Sequence, residues 1–284
     1  MIWSLGGRVL DFGDRVQIMG ILNATPDSFY DGGRYLEPQV AISRGLAMAA
    51  EGASIIDVGG ESSRPPMYGE AEHVSAAEEC RRVVPVVEGL RRQSDAFISI
   101  DTVKAEVAAQ ALDAGADIIN DISALRHDSA MAGVVARTGA PVVLMHRRGS
   151  AATMQQDTYY RDLLGEVHGF LAARVEAARA EGIERIAVDP GLGFGKSREG
   201  NLALLGALER FADLGCPLLV GASRKSFIWK TLGLTAEESL AGSLAAAVYA
   251  VGAGARILRV HDVAATLRAV RLIEAVREEV AASC

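Results

Sequence analysis

Polar and charged residues recur along this sequence, each directly after a short run of apolar residues. They comprise Asn23, Asp57 with Glu61, Asp101, Asn120 with Asp121, His146, Asp189, the run Ser223-Arg224-Lys225-Ser226, and Arg259 with His261. Carboxylates accept hydrogen bonds, an Asn amide both donates and accepts, and a guanidinium offers a forked donor to an anion. Any one of these residues could instead cap the helix or turn that follows it. Because the pattern repeats so regularly, we interpret the set as one site.

The elements that position these residues follow from the apolar periodicity. Short apolar runs predict eight strands, over Val16–Leu22, Ser54–Val58, Phe97–Ile100, Asp117–Asn120, Val142–Met145, Arg185–Val188, Leu218–Val220 and Arg256–Val260. Helical patterns lie between or after them, including Gln39–Glu51, Ala76–Arg92, Val103–Ala114, Tyr160–Glu181, Ser239–Gly252 and Ala264–Ala282. Strands that alternate with helices indicate a parallel sheet. Eight such units predict an α/β fold, a (β/α)8 TIM barrel with its active site at the carboxyl ends of the strands. A doubly wound open sheet is the alternative.

Three similar junctions support this alternation. Gly52, Gly115 and Gly254 each separate an Ala-rich helical stretch from a strand rich in β-branched residues. Glycine suits the left-handed conformation that closes a helix. The first dozen residues contain Gly6-Gly7 and predict a hairpin that caps the bottom of the barrel. No low-complexity linker divides the chain, so residues 1–284 are predicted to form one domain.

Composition narrows the class of protein. The 284 residues are 50% hydrophobic, which argues against disorder, and the net charge of −7 argues against a nucleic-acid partner. The longest uncharged run, Ser239–Ala255, is shorter than a membrane span needs, so no membrane partner is expected. The 3 cysteines are far apart in the sequence, and charges at Arg8 and Asp11 interrupt any apolar signal segment. These features favour a cytoplasmic protein.

The motifs of several other enzyme classes are incomplete. Gly195-Lys196-Ser197 resembles the end of a phosphate-binding P-loop, but Pro190 stands where that motif needs its first Gly. Lys196 also stands where a dinucleotide fingerprint starting at Gly191 needs its last Gly. The histidines lack zinc-ligand spacing, and no G-x-S-x-G elbow occurs. These gaps argue against nucleotide hydrolysis, hydride transfer and zinc hydrolysis.

Eight motifs, in order over nearly the whole chain, resemble those of the dihydropteroate synthases. They are the segment from Met19 to Phe29, the segment from Asp57 to Pro65, Ser99-Ile100-Asp101-Thr102, Asn120-Asp121-Ile122, Met145-His146-x-Arg148-Gly149, the segment from Asp189 to Lys196, the segment from Ser223 to Phe227, and Arg259-Val260-His261-Asp262. The resemblance implies a transferase of folate biosynthesis and a target of sulfonamides. It would join 6-hydroxymethyl-7,8-dihydropterin diphosphate to 4-aminobenzoate, giving 7,8-dihydropteroate and diphosphate. A homodimer is implied in the same way.

The resemblance also implies roles for individual residues. The positions that bind the pterin in this family correspond here to Asp101, Asn120, Asp189 and Lys225. Asn23, Arg259 and His261 fall where it holds diphosphate and Mg²⁺, with Asn23 as the metal ligand and Asp31 as a further catalytic residue. Those implied near the aminobenzoate are Ser63, Arg64, Pro65, Phe194 and Ser226, and Met145 and Gly221 are implied as further substrate contacts.

The residue chemistry agrees with these roles. A pterin edge presents an amino group and ring N–H groups, which Asp189 and Asn120 can bind. No general base or protein nucleophile is evident, so we expect a dissociative displacement driven by stabilisation of the leaving diphosphate. One rival is a pterin-binding methyltransferase barrel, which should lack the Ser-Arg-Lys-Ser and Arg-x-His elements. Another is a catalytically silent paralogue, which should have lost groups such as Arg259.

Overall fold

The computed structural model describes residues 1–13, 15–24, 38–61, 74–149 and 153–282. Within these residues the strands are β1 (Ile2–Leu5), β2 (Arg8–Asp11), β3 (Gln17–Asn23), β4 (Ile55–Gly59), β5 (Phe97–Asp101), β6 (Ile118–Asp121), β7 (Val142–Met145), β8 (Ile186–Asp189), β9 (Leu219–Val220) and β10 (Ile257–Val260). The α-helices are α1 (Pro38–Ala50), α2 (Ala76–Arg91), α3 (Ala105–Asp113), α4 (Met131–Thr138), α5 (Leu163–Ala180), α6 (Arg198–Gly206), α7 (Ser226–Leu232), α8 (Leu240–Gly252) and α9 (Val263–Ala282). Short 3-10 helices lie at Leu208–Leu214 and Glu237–Ser239. No described helix is long and apolar enough to span a membrane.

Strands β3 to β10 form one parallel sheet that closes on itself. The strand order is β8-β7-β6-β5-β4-β3-β10-β9. A parallel bridge between Val188 and Leu218 joins its two ends, and the Val188 N–H donates a 3.0 Å hydrogen bond to the Pro217 carbonyl. The (β/α)8 barrel prediction is therefore confirmed, and the open sheet is excluded.

The floor of the barrel is built by the N-terminal hairpin of β1 and β2. Trp3, Leu10 and Phe12 are buried there, and the Trp3 and Phe12 rings meet edge to face with centroids 4.8 Å apart. They pack on one early residue from each barrel strand, namely Met19, Ile55, Phe97, Ile118, Val143, Ala187, Leu219 and Ile257. The predicted capping hairpin is confirmed.

The inward-facing side chains of the strands are apolar at the floor of the barrel and mostly polar at its mouth. Successive strand residues point to opposite faces of a sheet, so positions two apart share one face. Two residues beyond the floor the inward positions are Ile21, Asp57, Ser99, Asn120, Met145, Asp189, Gly221 and Arg259. Two residues further they are Asn23, Gly59, Asp101, Ile122, Arg147, Gly191, Ser223 and His261. Most of the predicted site residues therefore share the interior of the barrel mouth.

Helix ends differ from prediction by a few residues, for identifiable reasons. Helix α5 begins at Leu163 rather than Tyr160, because the Asp162 carboxylate caps it with a 3.0 Å hydrogen bond from the Gly165 N–H. Gly52, Gly115 and Gly254 have φ angles of 101°, 111° and 97°. The glycine junctions are therefore confirmed as positive-φ turns between helix and strand.

Candidate active site

Asp57 lies at the centre of the polar layer and is fully buried. Its Oδ2 atom accepts a 2.6 Å hydrogen bond from Arg259 Nε and a 3.1 Å hydrogen bond from Asn120 Nδ2. Strand β4, which carries Asp57, lies two strands from β6 and two strands from β10. One carboxylate oxygen therefore joins side chains from both sides of the barrel.

Arg259 lies between two carboxylates. Besides the bond from Nε to Asp57, its Nη2 atom donates a 2.7 Å hydrogen bond to Asp101. Burial disfavours the charge on Arg259, but the charges of Asp57 and Asp101 outweigh that cost and raise the pKa of the guanidinium. Within the described part of the chain, no hydrogen bond is made by Nη1, so that atom stays available to an anion.

Burial gives Asp101 an unusual ionisation. It raises the pKa of Asp101 to about 7; Arg259 opposes this shift, and the neighbouring charge of Asp57 adds to it. The Asp101 carboxyl can therefore gain or lose a proton close to neutral pH, which is a common property of residues in functional sites.

Asp189 and Lys225 form the second polar group of the barrel mouth. The Gly191 N–H donates a 2.7 Å hydrogen bond to Asp189 Oδ1, while burial raises the pKa of this carboxyl. Lys225 Nζ donates a 2.8 Å hydrogen bond to the Leu192 carbonyl and lies 3.9 Å from the centroid of the Phe194 ring. Burial lowers the pKa of Lys225 to about 7, although the charge of Asp189 opposes the shift.

The loop between β8 and α6, residues 190–197, is held by the buried side chain of Lys196. Lys196 Nζ donates to the carbonyls of Gly191 and Phe194 at 2.8 and 3.0 Å, and lies 3.0 Å from His146 Nδ1. Burial lowers its pKa to about 7. Because Phe194 belongs to this loop, Lys196 indirectly fixes the aromatic face beside Lys225.

Three further predicted substrate contacts surround these groups. Met145 is buried on β7 and pairs in register with Asp189 of β8. At Gly221 a Cβ would lie 3.7 Å from Arg259 Cβ, so this residue lies beside the root of the arginine side chain. Ser226 is the first residue of α7, directly after Lys225.

His261 and Asn23 lie at the outer edge of the inward-facing set. His261 Nδ1 lies 3.1 Å from Ser223 Oγ, which also accepts a 3.2 Å hydrogen bond from the His261 N–H. Asn23 ends β3 and pairs in register with Gly59. No cluster of three or more His, Cys, Asp or Glu that could hold a metal occurs among the described residues. A single amide oxygen fits Mg²⁺ shared with substrate phosphates and water, rather than an ion held by the protein alone.

Four predicted site residues lie outside the described residues. They are Asp31, Ser63, Arg64 and Pro65.

Two polar residues that follow strands do not join the mouth, which corrects our interpretation of the set as one site. His146 is packed on Lys196 and edge to face on the Phe170 ring of α5, with centroids 4.9 Å apart. Asp121 is buried and accepts hydrogen bonds from the N–H groups of Ser123 and Leu125, so it caps a turn. Each follows an inward-facing residue by one position, which places it on the outer face of the sheet.

Other members of that set pair near the rim. Arg224 bonds to Asp262 through Nε and Nη2, at 3.0 and 2.6 Å, while Glu61 forms an ion pair with Lys104. Asp57 does join the mouth, as expected for a member of the set, although the sequence alone assigns it no individual role. The signal that identifies it is its position two residues beyond the floor residue Ile55.

Comparison with known proteins agrees with this fold. Residues 19–261 match the family described as pterin binding enzyme. The dihydropteroate synthase of Synechocystis sp. is 46% identical over 274 residues, covering 95% of this chain and 93% of the relative. The chain belongs to the dihydropteroate synthase family of pterin-binding enzymes, which are transferases of folate biosynthesis.

Two solved structures are similar over nearly the whole chain. A Xanthomonas albilineans dihydropteroate synthase with 4-aminobenzoic acid has a TM-score of 0.90 and 45% identity, covering 97% of this chain and 98% of that one. A Yersinia pestis dihydropteroate synthase in complex with a sulfonamide drug has a TM-score of 0.91 and 43% identity, covering 98% and 100%.

Proposed function

We propose that this chain condenses 6-hydroxymethyl-7,8-dihydropterin diphosphate with 4-aminobenzoate at the barrel mouth, releasing 7,8-dihydropteroate and diphosphate. The observation that carries the proposal is that Asn120, Asp189, Arg259 and Asp101 project from the inner face of the strands at the barrel mouth, with the charge of Lys225 close to them. Family membership and the likeness to a relative that binds 4-aminobenzoic acid support it.

The pterin lies across this polar layer. Asn120 and Asp189 accept hydrogen bonds from its amino and ring N–H groups, and Asp101 accepts another in its ionised form. Lys225 donates to a ring oxygen or nitrogen. Met145 and Gly221 provide an apolar surface and space for the ring system. A polar ligand also offsets the desolvation cost of burying the carboxylates of Asp57, Asp101 and Asp189 at the barrel mouth.

Reaction begins as the bond between the pterin methylene carbon and the diphosphate oxygen breaks. Electron density from the dihydropterin ring supports the departure, and the amine of 4-aminobenzoate then attacks the methylene carbon and releases its proton to water. Arg259, through its available Nη1, and His261 bind the developing diphosphate charge. No protein nucleophile takes part, so leaving-group stabilisation is the main contribution of the chain.

Magnesium completes the diphosphate site in this proposal. Asn23 would contribute one oxygen ligand to the ion, and the remaining ligands would come from the substrate and from water. When bound, Mg²⁺ neutralises charge on the leaving diphosphate. Asp31 is proposed as a further catalytic residue on the family resemblance alone.

The aminobenzoate site lies beside Phe194, Lys225 and Ser226. The Phe194 ring supplies an aromatic surface, and the Lys225 ammonium lies over one face of that ring. Ser63, Arg64 and Pro65 complete this site in the proposal. Sulfonamides that mimic 4-aminobenzoate would compete for the same position, in keeping with the Yersinia pestis relative.

We also propose that the chain works as a cytoplasmic homodimer. One face of α9 packs on the barrel through buried Val263 and Val270. A second face exposes Leu272, Val276 and Val280, four residues apart and so aligned along the helix. Exposed apolar stripes of this kind suit a protein interface.

The test of the proposed function is diphosphate release by the purified chain supplied with the pterin diphosphate and Mg²⁺. We expect release and 7,8-dihydropteroate only when 4-aminobenzoate is added. Binding of the pterin diphosphate without any product would contradict the proposal and favour a silent paralogue. Failure to bind it at all would contradict the proposed site as well.

A further inference from the structure

We infer that Asp57 is a positioning residue that decides which atoms of Asn120 and Arg259 are presented to the substrates, an inference that rests on the proposed function. Asp57 is fully buried on β4, in the same inward-facing layer as Asn120 and Arg259. Both of its hydrogen-bond donors are side chains of that site, and both donate to the same oxygen, Oδ2. Its role is therefore exerted through them.

The bond to Asn120 sets the polarity of the amide. Because Nδ2 donates to Asp57, Oδ1 is the atom left for a ligand, and no hydrogen bond from the described residues reaches it. A pterin edge carries N–H donors, so an acceptor is required at this position. Without the Asp57 carboxylate, no hydrogen bond from the described residues opposes rotation of the amide, which would point its NH₂ group toward the N–H donors of the pterin.

The bond to Arg259 sets the direction of the guanidinium. Nε is fixed by Asp57 and Nη2 by Asp101, and the guanidinium is planar. These two bonds leave Nη1 as the free end that meets the diphosphate. Loss of Asp57 would leave Arg259 held at one nitrogen only, so it could turn about the bond to Asp101.

Two substitutions at Asp57 distinguish the effect of its negative charge from the effect of its hydrogen-bond acceptor. Asp57→Ala removes the acceptor for both donors. Asp57→Asn keeps one oxygen that can accept both bonds, with its amide nitrogen replacing Oδ1, which has no hydrogen-bond partner. Ser99→Ala is the matched control, because Ser99 is Asp57's register partner on β5, equally buried, and its Oγ atom has no partner either.

A change in the ionisation of Asp101 provides a readout that general loosening of the fold would not produce. Several charged groups interact with Asp101, namely Arg259, Asp57, Glu79, Asp121, Arg147 and Lys225. Burial raises its pKa most, and the negative charge of Asp57 raises it further. Removing that charge lowers the pKa of Asp101, so ligand binding should persist to lower pH in Asp57→Asn.

Titration calorimetry of the full chain tests the inference with two ligands, each titrated separately. The first is 6-hydroxymethyl-7,8-dihydropterin, and the second is inorganic diphosphate in the presence of Mg²⁺. For Asp57→Ala we expect both affinities to fall about tenfold or more, the size of losing a hydrogen bond to a charged group. Asp57→Asn should recover most of both affinities while shifting the acid limit of pterin binding to lower pH. Ser99→Ala should match the wild type.

The inference is wrong if Asp57→Ala binds both ligands as tightly as the wild type. It is also wrong if Ser99→Ala loses as much affinity as Asp57→Ala. If Asp57→Ala fails to fold, an unchanged pH limit in Asp57→Asn is enough to contradict the inference. A wild-type chain that binds neither ligand would contradict the proposed function itself.

Discussion

The guanidinium of Arg259 donates a 2.7 Å hydrogen bond from Nη2 to a carboxylate oxygen of Asp101. The arginine proposed to bind the leaving diphosphate is thus tied directly to a carboxylate proposed to bind the pterin. Binding of the ring and departure of diphosphate therefore involve one connected set of charges. Changes in the ionisation of Asp101 should affect both.

Activity should depend on pH as a bell-shaped curve. The pKa of Asp101 is raised to about 7 and that of Lys225 is lowered to about 7, in both cases chiefly by burial. The productive state needs Asp101 ionised, which is lost as pH falls, and Lys225 protonated, which is lost as pH rises. We expect kcat/KM for the pterin diphosphate to peak close to neutral pH.

Lys225→Arg checks the assignment of the alkaline limb. A guanidinium stays charged over this whole range, so the decline at high pH should disappear even if the maximum rate is lower. A wild-type profile that rises steadily from about pH 6 to about pH 9 would contradict the proposed protonation states.

Lys196→Met should weaken the aminobenzoate site more than the pterin site. The substitution keeps the length of the side chain but removes its bonds to the Gly191 and Phe194 carbonyls. The loop that carries Phe194 would then be less well fixed. We expect KM for 4-aminobenzoate to rise about tenfold, the effect of losing charged hydrogen bonds, with a smaller change in KM for the pterin diphosphate.

Steady-state kinetics with each substrate varied in turn measure this difference. Lys230→Met on α7 is the control, since Lys230 is exposed and bonds to neither carbonyl. Equal increases in both KM values would show that Lys196 supports the whole mouth and not the Phe194 loop in particular.

Trp3→Ala should lower the stability of the barrel without altering substrate affinity. Trp3 is 3% exposed and packs among the floor residues at the end of the barrel opposite the polar mouth. Removing a buried aromatic side chain costs about 3–5 kcal/mol of unfolding free energy. Denaturant unfolding measures that loss, and calorimetry with the pterin measures affinity.

Ile2→Ala is the comparison for the floor, because Ile2 is 59% exposed on the same hairpin and should change stability little. If Trp3→Ala weakened pterin binding as strongly as it lowered stability, the floor and the mouth would not be independent parts of the barrel.

Much of the fold was predictable because its signals are local. Positive-φ glycines such as Gly52 and Gly115 end helices, and the β-branched segments after them form the strands. Motif order then predicted most of the mouth, including Asp101, Asn120, Asp189 and Arg259. The predictions for Asp31, Ser63, Arg64 and Pro65 remain predictions.

The face of each strand was harder to predict. A run such as Val142-Val143-Leu144-Met145 is apolar at every position, since parallel strands are buried on both faces. Its alternation is therefore invisible in the sequence, and His146 was placed in the mouth although it packs on α5. Asp57 belongs to the predicted set, but its hydrogen bonds to Asn120 and Arg259 join three different strands and leave no local signal in the sequence.

Single-turnover formation of 7,8-dihydropteroate by the wild type and by Arg259→Ala tests the central claim most directly. Arg256→Ala, directly before the same strand at the floor end, is the control. We expect product from the wild type and the control, and a rate roughly 100- to 1000-fold lower for Arg259→Ala, the usual cost of losing a group that stabilises developing charge. An Arg259→Ala chain within a few-fold of the wild type would contradict the claim that diphosphate leaves at this site.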